Sequence, residues 1–331
     1  MTDARHVFRW DLDKTYLRTD FDSLRGLLRT AMEKATDKRA VPGAPALLRA
    51  LRAAGKGAHR ICIVSGSPEQ MRPVLEAKLA LDHVEYDEFI LKPNLRNLLR
   101  GRFRALRAQV PYKLPALLRS RTREAAPGET LFGDDAESDA IVYCLYADIV
   151  SGRLTPSDLG PILEAGHAYD DQKVETLRLA ESVAKGEVVQ RILIHLDRRS
   201  PTAQFERFGD RLVPIYNYFQ AALVLFADGQ LAARDVLVVA REMLASRDYS
   251  ISSLANSLQD LMRRRRLERD VAIRLALETH ALVAEWGGLP KDEIAWAFAT
   301  RVRALGNLAD GPARESNPPL DYLGLLTAEK R

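Results

Sequence analysis

Short apolar runs rich in branched side chains recur at residues 7–11, 60–64, 88–91, 130–133 and 191–196, and helical patterns lie between them. Runs of this length, apolar on both sides of the chain, suit strands buried on both faces, as in a parallel sheet. The intervening patterns include 44–54, with Leu47, Leu48 and Leu51, and 68–79, with Met71, Val74, Leu75 and Leu79. Alternation of strand and helix predicts an α/β fold, a doubly wound, Rossmann-like parallel sheet. Ligands of such sheets bind beyond the carboxyl ends of the strands, so the residues just after each run are where chemistry is expected.

From about Leu231 only helical periodicity remains, at 235–245, 251–266, 271–285 and 292–305. Breaks fall at Asp228-Gly229, Arg247-Asp248 and Gly287-Gly288-Leu289-Pro290. The expected organisation is a strand-bearing domain over 1–230, an all-helical C-terminal region over 231–310 and a loosely held tail over 311–331. The apolar stretch 212–227 holds Pro214, Asn217 and Gln220 and reads as a buried helix rather than a span, for which about 18 uninterrupted apolar residues are needed. The N-terminus lacks the apolar core of a signal peptide, and Cys62 and Cys144 have no metal-ligand or disulfide spacing, so a cytoplasmic setting is expected. Basic residues exceed acidic ones by 49 to 45, too mild a surplus to mark a nucleic-acid binder.

The first run ends in Asp11-Leu12-Asp13-Lys14-Thr15. Carboxylates two residues apart at a strand end can be aimed at one reacting atom, one as nucleophile and one as proton donor, although Asp-x-Asp also occurs in ordinary turns. After the second run comes Ser65-Gly66-Ser67-Pro68, a hydroxyl, a tight turn and a helix start. That combination can cradle phosphate on backbone amides, or Ser65 can simply cap the helix. After the fourth comes Gly133-Asp134-Asp135-Ala136-Glu137-Ser138-Asp139. Carboxylates gathered opposite two more repel one another unless a cation sits among them, and oxygen ligands with open positions favour Mg2+. Lys113 opens a helical run and can place a positive charge on phosphoryl oxygens; alone it would read as a surface lysine.

Taken together and in this order, these clusters resemble the motifs of the haloacid dehalogenase-like superfamily, in its phosphatase branch, over residues 5–200. Within it the chain is similar to the catalytic domain of actin-patch-type phosphatidate phosphatases. The shared features are Val64-Ser65-Gly66-Ser67-Pro68, Leu91-Lys92 after the third strand, and the Gly-Asp-x-x-Glu-x-Asp element at 133–139. The resemblance implies that Asp11 attacks phosphorus to form an aspartyl-phosphate, while Asp13 protonates the leaving oxygen and later activates water. It implies that Ser65 and Lys113 hold the phosphoryl oxygens, with Thr15, Gly66, Ser67 and Lys92 lining the substrate site. Mg2+ would be bound by Asp11, the Asp13 carbonyl and Asp134, supported by Asp139 or Asp135. Lys92 rivals Lys113; Lys113 is preferred because its helix is directed into the strand that carries Asp134. Lys14 departs from the pattern and is expected to add a charge at the rim.

Neither the interval 16–59 nor 69–111 has room for a large cap domain, so an open site and a large phosphoester such as a lipid head group are expected. Arg263-Arg264-Arg265-Arg266, with Arg269 and Lys291, can bind anionic lipid in peripheral membrane contact, or can form a solvated face paired with Glu268 and Asp270. Trp286 and Trp296 read as core or interface residues. The competing functional class is a non-catalytic scaffold on the same fold, with the helical region as partner surface.

Overall fold

The computed structural model describes residues 5–18, 36, 38–92, 109–285, 291–304 and 318–328. Six strands among them form one sheet: β1 His6–Trp10, β2 His59–Pro68, β3 Glu88–Lys92, β4 Glu129–Asp134, β5 Val189–His195 and β6 Leu212–Ile215. Their order is β3-β2-β1-β4-β5-β6, and β1 pairs in parallel with both β2 and β4. The chain thus winds outward first to one side of β1 and then to the other. That reversal opens a crevice at the carboxyl ends of β1 and β4.

All five expected strands are present, and the sheet has the doubly wound parallel form. The stretch 212–227 is corrected: it is not one helix but edge strand β6 followed by helix Tyr218–Ala227. Proline lacks a ladder donor and is tolerated at a sheet edge, where Pro214 sits. Asn217 then caps the helix, its side chain accepting from the Gln220 N–H at 3.1 Å.

The chain divides into two compact units, 1–39 with 57–214 and 315–331, and 40–56 with 215–314. In the first unit one sheet face presents Val7, Cys62, Val64, Leu131, Ile192 and Ile194. Against it pack Val110, Leu114 and Leu117 of helix Val110–Arg123, and residues of helix Asp139–Ser151. The helical stretch before β5 is three helices, Asp139–Ser151, Pro156–Ala165 and Asp170–Ser182. Part of the expected tail is a helix, Tyr322–Ala328, whose Tyr322 hydroxyl donates to Asp148 Oδ2 at 2.5 Å; residues 311–317 and 329–331 lie outside the described ones.

A buried ion cluster fixes β1 against β4. Arg9, in the middle of β1, reaches Glu129 through Nε at 2.9 Å and Nη2 at 3.1 Å, and its Nη1 donates to Ser120 Oγ at 2.7 Å. Arg121 Nη1 and the Tyr146 hydroxyl also donate to Glu129, at 2.6 and 2.7 Å. Burial alone would push the Glu129 carboxyl up; the charge and hydrogen bond of Arg9, with Arg121 and Tyr146, hold it below its ordinary pKa instead. Glu129 pairs in register with Val7 and Trp10 with Phe132, whose ring stacks on Trp10 at 3.9 Å. The last residues of both strands are thereby brought side by side.

The second unit contains helix Ala44–Ala54 and the C-terminal helices Tyr218–Ala227, Ala233–Ala245, Ile251–Arg263, Arg269–Glu285 and Lys291–Ala304. Phe219 and Phe298 stack at 5.6 Å within it, and Arg49 pairs with Glu242. Trp296 is 70 % exposed, which corrects the expectation of a core position; Trp286 lies outside the described residues. Of the arginine run, Arg264 turns to Asp260 at 2.6 Å, whereas Arg263 and Arg265 are exposed. No helix of the described residues is long and apolar enough to cross a membrane.

Candidate active site

Beyond Trp10 the chain leaves β1 under tight control. The Asp11 N–H donates to Phe132 O at 2.8 Å, and the N–H groups of Tyr16 and Leu17 both donate to Leu12 O at 2.8 Å, closing a compact loop. The Tyr16 hydroxyl anchors that loop to Asp82 at 2.5 Å. Lys14 takes a left-handed backbone conformation, φ 58°, which costs a non-glycine residue on the order of 1–3 kcal/mol and persists only where its surroundings impose it. His195 at the end of β5 supplies one such constraint, its Nδ1 donating to Lys14 O at 3.0 Å. The Lys14 side chain is buried, so the expectation of a charge at the rim is corrected.

Asp11 is fully buried, and among the described residues neither carboxylate oxygen accepts a hydrogen bond. Lys113 Nζ stands 2.8 Å from its Oδ1, an ion pair outside hydrogen-bond geometry. Asp13 is held differently: its Oδ2 accepts from Ser65 Oγ at 3.0 Å and Ser67 Oγ at 2.6 Å. The Ser67 N–H donates in turn to Ser65 Oγ at 3.0 Å. The helix expected from Pro68 starts later than the sequence suggests. β2 runs through Pro68 with an irregular register between Ser65 and Pro68, and the α-helix starts only at Arg72 after a 3-10 turn, Glu69–Met71. Ser65 and Ser67 therefore belong to a bulged strand end and not to a helix cap.

Lys113 lies in the first turn of helix Val110–Arg123 and is fully buried. Its Nζ also meets Asp139 Oδ1 at 2.5 Å and Glu137 Oε2 at 2.9 Å. Burial alone would lower its pKa; Asp11, Asp139 and Glu137 outweigh that and raise it well above the usual lysine range. Lys92, at the end of β3, is buried with its Nζ 5.3 Å from the Tyr112 ring centre, and burial, with Lys113 adding to it against Glu137, brings it down to about 8. Of the two rival lysines, Lys113 is the one bonded into the carboxylates.

At the end of β4, Asp134 Oδ1 accepts from the N–H groups of Ala136 at 2.6 Å and Glu137 at 3.1 Å, and its Oδ2 from Thr15 Oγ1 at 3.4 Å. Asp139 Oδ2 accepts the Asp134 N–H at 3.2 Å, an approach open only because residue 133 is glycine: a Cβ there would lie 2.6 Å from the Asp139 Cβ. Asp135 turns away, its carboxylate accepting the N–H groups of Arg198 and Ser200 at 2.8 and 2.9 Å in the loop after β5.

Oxygens of Asp11, Glu137 and Asp139 lie within 4.8 Å of one another, close enough to hold one cation. Asp134 and Asp135, expected among the ligands, are not in that group, and their carboxylates accept backbone N–H groups; Asp13 is expected to offer its carbonyl oxygen, not its carboxylate, which the two serine hydroxyls occupy. Glu137 was missed as a ligand candidate; its signal is its place three residues after Asp134 and two before Asp139. Burial pushes the carboxyls of Asp11 and Asp134 well above the carboxylate range and those of Asp13 and Asp139 up to about 6, with neighbouring carboxylates adding to it. A surplus of buried negative charge, with Asp11 oxygens that no hydrogen-bond donor satisfies, suits a hard divalent cation.

Residues 10–155 match the family model described as phosphatidate phosphatase APP1, catalytic domain. That family is one of phosphatases, hydrolases of phosphoric monoesters, and the matched segment contains Asp11, Asp13, Ser65, Lys113, Asp134 and Asp139. No curated protein and no solved structure matches the chain.

Proposed function

We propose that the protein is a Mg2+-dependent phosphomonoester hydrolase working through an aspartyl-phosphate, on phosphatidate or another large phosphoester. The observation that carries this reading is Asp11: a buried carboxylate at a strand end whose oxygens accept no hydrogen bond among the described residues, beside Lys113. Burial favours its protonated form; the Lys113 charge opposes that and a bound cation would oppose it further, which leaves an ionised oxygen whose lone pairs no donor occupies free to attack.

In the first half-reaction an Asp11 oxygen bonds to phosphorus as the bond from phosphorus to the leaving oxygen breaks, and Asp13 gives that oxygen a proton. Burial raises Asp13 to about 6, against the pull of the Ser67 and Ser65 hydroxyls, so it can hold the proton it must give. In the second, Asp13 takes a proton from water as that water attacks the aspartyl-phosphate, and inorganic phosphate leaves with Asp11 restored. Ser65 and Ser67 orient Asp13. Lys113 sets its charge against the phosphoryl oxygens, with Thr15, Gly66 and Lys92 completing the substrate side. Asp11, the Asp13 carbonyl and Asp134, with Glu137 and Asp139 beside them, would hold the metal, which when bound neutralises charge on the phosphoryl group and among the carboxylates. The two cysteines, buried and free, are in keeping with a reducing, cytoplasmic setting.

The test is phosphate release by the purified chain with p-nitrophenyl phosphate and with phosphatidate in mixed micelles, in Mg2+ and after chelation. Metal-dependent release from either, with phosphatidate turned over the more efficiently, is expected. Release indifferent to chelation would overturn the metal requirement, and release from neither would overturn the activity.

A further inference from the structure

The loop that carries Asp13 is held from outside the family-matched segment, residues 10–155. His195 ends β5 in register with Asp134 at the end of β4, and it is buried there. Its backbone O accepts the Asp135 N–H at 3.0 Å, and the Asp135 carboxylate accepts the Arg198 and Ser200 N–H groups of the loop that follows. The ring is thereby anchored beside the acidic cluster. Its Nδ1 lies 3.0 Å from Lys14 O, a contact between residues 181 apart in the chain. A carbonyl oxygen can only accept, so Nδ1 carries a proton and the ring donates.

Lys14 sits between two fixed points. Before it, Leu12 O accepts the N–H groups of Tyr16 and Leu17, and after it His195 holds Lys14 O. Between them Lys14 takes its φ of 58°, which glycine adopts without cost and lysine does not. Peptide planes turn as rigid units, so a return to negative φ turns the plane between residues 13 and 14. That plane carries the Asp13 carbonyl, which the resemblance places on Mg2+. The plane on the other side leads to Thr15, whose hydroxyl donates to Asp134 Oδ2 at 3.4 Å. With lysine rather than glycine at position 14, the turn depends on its hydrogen-bond partners.

We infer that His195 is a positioning residue: its Nδ1–H holds Lys14 O, and the left-handed turn so fixed keeps the Asp13 carbonyl and the Thr15 hydroxyl aimed at the acidic cluster. Small misplacements of groups that orient a reaction cost far more in rate than in stability. The kinetic consequence rests on the proposed phosphatase reading; the conformational one rests on the turn alone.

The test compares His195→Leu, His195→Asn and His195→Leu with Lys14→Gly in the full chain. The readouts are steady-state hydrolysis of p-nitrophenyl phosphate in Mg2+ and hydrogen exchange of the Tyr16 and Leu17 amides. His195→Leu should lower kcat roughly ten- to hundred-fold with KM little changed, and exchange in the turn should quicken. His195→Asn, which sets an amide N–H where Nδ1 stands, should restore both. Adding Lys14→Gly to His195→Leu should also restore both, because glycine keeps the left-handed conformation without a partner. A loss of packing alone would persist in that double variant. Should His195→Leu fail to fold, His195→Gln takes its place, since its amide lies one bond beyond the Nδ1 position. Wild-type kcat and exchange in the variant lacking the Nδ1 donor would overturn the inference. So would losses that neither His195→Asn nor the added Lys14→Gly repairs. If the wild type hydrolyses nothing while exchange follows the expected pattern, the hold on the turn stands and the phosphatase reading fails.

Discussion

Lys113 Nζ stands 2.8 Å from Asp11 Oδ1, and the same ammonium meets Asp139 and Glu137. One buried cation thus balances three carboxylates from two segments of the chain. Lys113→Met should remove that balance and leave the carboxylates to repel one another. A loss of about 3–5 kcal/mol in stability is expected, as for a broken buried pair, with at least a hundred-fold loss in kcat/KM. Chemical denaturation and steady-state kinetics check both; a variant that unfolds at the wild-type midpoint would contradict the placement of Lys113.

Ser67 donates to Asp13 at 2.6 Å and favours its ionised form. Ser67→Ala removes that donor, so the pKa of Asp13 should rise further. The pH above which its acid role fades should move up by about 0.5–1 unit in the kcat profile. An unmoved limb would show that another group gives the proton.

Gly133→Ala should drive a methyl group into Asp139. The side chain must shift from its bonds to Lys113 and the Asp134 N–H, at a cost of about 1–3 kcal/mol. Thermal unfolding and metal affinity by calorimetry should both fall; wild-type values in both would show that the site has room.

His6 is buried against Thr130, with Nε2 2.9 Å from its hydroxyl, and burial, helped by His59, lowers its pKa from 6.5 to about 4. As pH falls from 6.5 towards 4 the unfolded chain takes a proton that the folded chain refuses, so stability is lost across that window and no further below it. Asp13 and Asp139, raised to about 6, act in the opposite direction, because the folded state takes their protons first. The difference between wild type and His6→Gln isolates the histidine. It should change with pH only between about 4 and 6.5, by up to roughly 3 kcal/mol, and a flat difference would contradict the assignment.

The alternation of apolar runs and helices made the sheet readable, because strands buried on both faces leave little else that such runs can be. It also made the strand ends readable, and with them Asp11, Asp13, Ser65 and Asp134; Lys113 and Asp139 lie in helices and were picked out by the family resemblance. What escaped were features set by distant residues. Arg9 reads as an interruption in an apolar strand until Glu129, Arg121 and Tyr146 surround it. Lys14 reads as a rim charge, yet the left-handed turn whose carbonyl His195 holds leaves its side chain buried. Asp135 and Asp139 cannot be told apart until the loop after β5 claims Asp135. Strand β6 was hidden by its continuity with the apolar helix that follows.

Bond formation between Asp11 and phosphorus is measured by mass spectrometry of protein acid-quenched during turnover. A phosphate adduct on the peptide carrying Asp11 is expected in the wild type, with neither adduct nor turnover in Asp11→Asn. Turnover by Asp11→Asn at the wild-type rate, with no adduct on that peptide in either protein, would contradict it.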